Sequence, residues 1–155
     1  MKLAVLLITL LLSTFSFSQK LSTQQLMRLW SASDTSQTTK AELSYADLKQ
    51  NKDLQAFNNR LYELYTYLRH HHNQRLLIRT WIYEVLGKGE FKIAYSPTDK
   101  LHLQKGLKMA GLMEDNQLLS ELFSLYPRMS SEHDNSYYTL RALEMQERIG
   151  IQHFP

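Results

Sequence analysis

Apolar residues recur in steps of three and four along most of this chain. Leu54, Phe57, Leu61, Leu64, Tyr65 and Leu68 form one such stripe and predict an amphipathic helix over about 53–70. Residues 76–86 carry Leu76, Leu77, Ile78, Trp81, Ile82, Val85 and Leu86, so this helix is apolar on more than one side and belongs at the centre of the packing. Gly87 and Gly89 read as its end or as a bend. Leu103, Leu107 and Ala110 predict a helix over about 97–112. Leu118, Leu119, Leu122, Phe123 and Tyr126 predict another over about 116–128. Tyr138, Ala142, Met145 and Ile149 mark a last one over about 132–149, with Gly150 as its stop.

Four helix starts carry an N-cap with a side chain three residues on that can answer it. They are Ser22 with Gln25, Thr39 with Glu42, Ser96 with Asp99, and Ser131 with Asp134. Each pair can satisfy backbone N–H groups that a helix start leaves unpaired, and Pro97 takes the favoured first helical position. Pro127 falls near the end of its helix, where it should kink or stop the chain. The polar stretch 31–39 reads as a loop between an N-terminal helix and the main array. The fold class that follows is all-α, built of antiparallel helical hairpins, because short joints make consecutive helices antiparallel.

Such hairpins can close into a bundle or stack into a solenoid. Lys105-Gly106-Leu107-Lys108-Met109 and Arg141-Ala142-Leu143-Glu144-Met145 align at a spacing of 36 residues. Each has a basic residue, a small residue, Leu, a charged residue and Met. Recurrence at periods of roughly 20–50 residues marks stacked repeats. It points to a short solenoid, an architecture that usually offers binding surfaces.

The start of the chain bears on location. Residues 1–18 hold Lys2, an apolar run over 3–12 broken only by Thr9, and Ser16 and Ser18 at the positions a signal peptidase reads. This predicts a secretory leader cut before Gln19, and an exported, periplasmic or otherwise extracytoplasmic protein. The run is shorter than the roughly 20 residues of a membrane span. The chain has no Cys, which excludes disulfides and a Cys-linked lipid anchor, so the domain must be held by its core. The remainder divides into 19–52, N-terminal helices and the polar loop, and 53–155, the repeat region. Without Lys2, 17 basic residues face 15 acidic ones. That mild, scattered excess speaks against nucleic acid as a partner.

Residues 137–150, Tyr137-Tyr138-Thr139-Leu140-Arg141-Ala142-Leu143-Glu144-Met145-Gln146-Glu147-Arg148-Ile149-Gly150, resemble the second helix of a tetratricopeptide repeat (TPR). More narrowly, they resemble the long-helix repeats in the N-terminal sensor regions of Bacteroidetes-type two-component histidine kinases. Tyr138 and Ala142 match the aromatic and small positions late in that helix. Gly106 takes the small slot one repeat earlier, while His102 departs from the aromatic one. Ser120 stands nearest to the small position of a first helix. The match covers residues 97–150. It implies a TPR-like stack that binds a protein or peptide, or a second copy of the chain, as the sensory input of a signal-transducing kinase. Kinase motifs themselves are absent from the sequence: there is no Gly-rich ATP-binding segment and no phosphoacceptor His. Membrane attachment would come only through a downstream segment. The sequence stops directly after a repeat, where a solenoid usually carries a polar cap. It therefore reads as part of something longer, or as a protein whose open end a partner covers.

Candidate chemistry is sparse. His70-His71-His72 are adjacent, so on a helix they point about 100° apart and cannot chelate one ion as i, i+4 pairs do. At a helix C-terminus their role is to interact with the dipole. Gly87-Lys88-Gly89 lacks the remaining glycines and the Lys-Ser/Thr ending of a phosphate loop. No catalytic, metal or cofactor site is predicted. The nine Tyr are mostly packing residues with a polar tip, but Tyr and Arg are also enriched at binding hot spots. Tyr62, Arg69, Arg79, Tyr83 and Lys105 are the candidates for a binding groove. Two alternatives stand beside the sensor reading. One is a stand-alone exported binding protein. The other is a small helical enzyme drawing on Glu63, His133 or Asp134, which no motif supports.

Overall fold

A computed structural model describes residues 21–32, 47–49, 53–129, 137–144 and 147, and every regular element among them is helical. We number the helices α1 (Thr23–Ser31), α2 (Leu54–His70), α3 (Gln74–Glu90), α4 (Pro97–Leu112) and α5 (Asn116–Leu125). A 3₁₀ turn, Tyr126–Arg128, continues directly from α5, and residues 47–49 and 137–144 are also helical. The predicted leader, the caps at Thr39 and Ser131, residues 33–39 of the polar stretch and the stop at Gly150 lie outside the described residues. Ser31, the first residue of that polar stretch, belongs to α1 and donates its hydroxyl to the Met27 carbonyl.

Local chemistry sets the helix starts. Ser22 and Gln25 form the predicted capping box, as do Ser96 and Asp99, with Pro97 beside the cap. Asp53, Asn73 and Asp115 cap α2, α3 and α5 through their side-chain oxygens. The helix ends are less expected. α3 runs through Gly87 and Gly89 to Glu90, and its left-handed terminal residue is Lys92 at φ 55°. Lys92 N–H donates to the Gly89 carbonyl and Ile93 N–H to that of Lys88, the paired bonds that satisfy the last carbonyls of a helix. Glu114, at φ 53°, closes α4 in the same way: its N–H donates to the Gly111 carbonyl and that of Asp115 to the Ala110 carbonyl. Gly87 is there for space: a Cβ on it would stand 2.1 Å from the Phe57 ring. Its absence lets α2 and α3 approach closely. Pro127 does stop its helix, at Leu125, and the 3₁₀ turn takes over.

α3 is the central helix. It packs against α1, α2, α4 and α5, and so has no continuous solvent face. Leu76, Ile78, Trp81, Ile82, Val85 and Leu86 are all buried, as its many-sided apolar pattern predicts. α4 packs on α3 and α5, and α1 on α2. Gly106 sits where three helices meet. A Cβ there would be 3.1 Å from Leu122 of α5 and 3.6 Å from Ile78 of α3. Beyond α5, Ala142 is buried and its carbonyl accepts from Ser120 Oγ at 3.5 Å.

Candidate functional site

α2 has two unlike faces. Its apolar stripe turns Phe57 and Leu64 into the core. On the other side, Tyr62, Glu63, Tyr67 and His70 follow the same three-and-four spacing and stay exposed, with Thr66 half-buried among them. This second face and α1 bound an open groove of about 840 Å³. Met27 and Arg28 of α1 form its opposite wall. At one end the Tyr67 and His71 rings stack, with centroids 4.0 Å apart and planes at 4°. His71 is the C-cap of α2, and its Nδ1 lies 3.1 Å from the Tyr67 carbonyl, which holds the ring in place. Tyr62 is 67 % exposed beside this pair. The groove thus offers aromatic faces, a thioether, one guanidinium and one carboxylate. That mixture suits a peptide, whose side chains alternate in chemistry.

The five sequence candidates do not form one surface. Tyr62 lines the groove. Arg69 is exposed near the end of α2 and Lys105 is exposed on α4, and neither lines the groove. Arg79 and Tyr83 are internal, which corrects their reading as groove contacts. Arg79 is 3 % exposed and pairs with Glu121 of α5. Tyr83 is fully buried between Trp30 and Phe57, with both ring centroids 5.5 Å away, and donates to Asp47 Oδ2 at 2.7 Å. The physical reason is the surrounded position of α3, which turns even its polar tips inward. Glu63 does reach the groove, whereas His133 and Asp134 lie outside the described residues. Sequence reasoning missed Gln24, Met27, Arg28, Thr66, Tyr67 and His71 as groove residues. A signal existed in the polar and aromatic stripe of α2 opposite its leucines, but which helix would face it was not encoded locally.

The remaining charged groups tie helices together. Arg60 donates to Asp47 Oδ1 at 2.6 Å and to the Leu21 carbonyl at 2.8 Å, joining α2 to residues 47–49 and to the chain just before α1. Burial raises the Tyr83 phenol well above its ordinary value, and the bond to Asp47 adds to this. A second cluster links α2, α3 and α4. Tyr65 donates to Glu84 Oε2 at 2.5 Å, and Lys88 reaches Glu84 Oε1 at 3.1 Å and Asp99 Oδ1 at 2.6 Å. Burial opposes the charge on Lys88, but Asp99 and Glu84 outweigh it and raise its pKa. Burial likewise opposes the Asp99 charge, yet Lys88 and Ser96 hold its carboxyl below the usual range. Tyr65 is raised, first by burial and then by Glu84. Groups locked in this way hold geometry, since each is already engaged with its neighbours.

His102 completes the α3–α4 contact. Its ring stacks on Trp81 at 4.7 Å and 12°, so imidazole fills the aromatic slot. Burial lowers its pKa. Tyr138, 36 residues on, packs its ring on Tyr126 at 4.0 Å and on Phe123 at 6.3 Å. Among the described residues, no group of His, Asp or Glu gathers at metal-binding spacing, and no helix is long and apolar enough to cross a membrane. Comparison with protein-family models, with curated proteins and with solved structures returns no match.

Proposed function

We propose that this chain is a protein- or peptide-binding module of helical hairpins stacked in the TPR manner. It would work outside the cytoplasm, as the input segment of a signal-transducing histidine kinase. The observation that carries the reading is the order of helix contacts. α3 touches not only α2 and α4 but also α5, its next-but-one neighbour, and α1 from earlier in the chain. Stacked hairpins need such contacts, because each first helix packs on the first helix of the next pair. The small and aromatic slots support the same reading. Gly106 and Ala142 both lie against α5, and His102 and Tyr138 both stack on aromatic rings.

The binding surface in this reading is the groove between α1 and α2, with Tyr62 and the Tyr67–His71 stack as anchors. Rigid aromatic faces supply contact area at low entropic cost. No catalytic role is assigned, because the buried charged groups serve as ties between helices. The test is a peptide-display selection on the purified chain, followed by a Tyr62→Ala/Tyr67→Ala variant. Losing a hot-spot aromatic costs about 2 kcal/mol or more, a weakening of roughly 30-fold. Selected peptides that bind the variant unchanged would sink the groove assignment. The kinase link is tested separately, on the coding DNA just downstream of the Pro155 codon. An in-frame membrane helix and kinase domain support it. An immediate stop leaves a stand-alone exported binding module.

A further inference from the structure

We propose that a small pocket at the C-terminal end of α3 binds a free α-amino acid with an apolar side chain. The proposal is independent of the α1–α2 groove and of the stacked-hairpin reading, so it stands or falls separately. The pocket has a volume of about 350 Å³ and lies between the end of α3, residues 47–49 and the turn after α5. That is the lower end of the roughly 300–1,000 Å³ of small-molecule sites. Leu48 and Leu86, both buried, form its apolar side. Lys49, Glu90, Tyr95 and Arg128 supply its polar side.

The walls are held from behind. Asp47, next to Leu48, accepts from Arg60 at 2.6 Å and from Tyr83 at 2.7 Å. Arg128 follows Tyr126, which is buried and accepts from Gln104 at 2.9 Å. Gly89 lets the polar groups close in. A Cβ on it would stand 2.9 Å from the Tyr95 hydroxyl and 3.7 Å from Arg128 Nη1, so both gather at the bare last turn of α3. Free charge sets this place apart. Arg60, Arg75, Arg79 and Lys88 each pair with a carboxylate. Among the described residues, Lys49, Arg128 and Glu90 have no ion pair, and the Tyr95 hydroxyl has no hydrogen bond.

The ligand class follows from these three chemistries. A carboxylate takes the guanidinium, ammonium and phenol donors of Arg128, Lys49 and Tyr95. An ammonium takes Glu90, which ends α3 at the negative pole of its dipole. A short apolar side chain covers Leu48 and Leu86. An α-amino acid carries all three groups on one carbon. An inorganic anion would leave Glu90 and the leucines without a counterpart, and a simple carboxylic acid would leave Glu90 without one.

The experiment titrates the purified chain with L-leucine, read by saturation-transfer NMR and by the rise in melting temperature. Saturation below about 10 mM is expected, with binding weakened at least about tenfold, or roughly 1.4 kcal/mol, by Arg128→Gln. Glu90→Gln should weaken leucine by a similar factor and leave 4-methylpentanoate, the analogue without the amino group, unchanged. Lys108→Gln, at an exposed position on α4, should leave leucine binding as in the wild type. Arg128 and Glu90 are exposed, so their variants should melt like the wild type without ligand. No saturation, or equal binding to Arg128→Gln, overturns the proposal. The analogue comparison needs only the wild-type chain and stays decisive if a variant fails to fold. If 4-methylpentanoate or N-acetylleucine binds as tightly as leucine, the amino-acid class is overturned in favour of a carboxylate site, a peptide C-terminus included.

Discussion

Gly106 and Ala142 occupy equivalent places 36 residues apart, yet their helices meet different fates. Around Gly106, α4 is held on two sides, by Ile78 of α3 and Leu122 of α5. Around Ala142, the described contacts come from one side, through Ser120, Phe123 and Tyr126. The small residue in each case permits close approach to a neighbouring helix. It does not by itself supply the second neighbour. In an array of hairpins, burial of one face is a property of the helix, and burial of the other is a property of whatever comes next.

The largest break of this comparison is Leu122→Ala. Leu122 is fully buried and fills the space left by Gly106. Its truncation should cost about 2–5 kcal/mol in urea unfolding, because the helices can only partly collapse onto the cavity. A smaller effect comes from the other side of the same contact. Gly106→Leu should cost about 1–3 kcal/mol through overpacking. Ala142→Gly should cost only about 1 kcal/mol, the helix-propensity difference.

The comparison sharpens further with matched exposed and covered leucines. Leu107→Ser should destabilise by roughly 1 kcal/mol, since part of the side chain is removed from water. Leu143→Ser should fall within about 0.5 kcal/mol of wild type, as for surface positions without partners. Equal costs at the two sites would show that the 36-residue equivalence does not describe their environments.

The smallest effect is a pH dependence. Burial keeps His102 below its ordinary pKa of 6.5, against the pull of Glu84 and Asp99 and with help from Lys105 and Lys88. The fold therefore prefers neutral imidazole. Below pH 6.5 the unfolded chain takes up this proton first, so stability falls as pH drops toward the folded pKa. His102→Phe should flatten the melting temperature across that window, measured against wild type by circular dichroism. Tyr138, in the equivalent slot, has no titration there. An unchanged acid slope in the variant would show that His102 is not its source.

Several features were legible in the chain before any tertiary contact was known. The boxes at Ser22 and Ser96 form because a hydroxyl and a side chain three residues away meet in any helix start. The surrounded role of α3 was visible in its many-sided apolar pattern. The groove was not. Tyr62 was singled out along with Tyr83 because both are tyrosines on helices of the repeat region. One is two-thirds exposed and the other fully buried. The apolar residues around Tyr83 mark its helix as central, but the partners that bury it, Trp30 and Asp47, come from far away in sequence. Gly87 reads from the sequence as the end of its helix or as a bend, yet it is a contact point for Phe57, thirty residues earlier.

Sequence alone determined which segments are helices, where three of them begin or stop, and that small residues recur at 36-residue spacing. These depend on hydrogen bonds and side-chain periodicity within a few residues, and so are written locally. Tertiary structure decided which polar tips are ties and which are surface, why Gly87 has no side chain, and which leucines on the last described helix stay in water. Burial is set by neighbours that arrive from distant parts of the chain, and no local pattern specifies them.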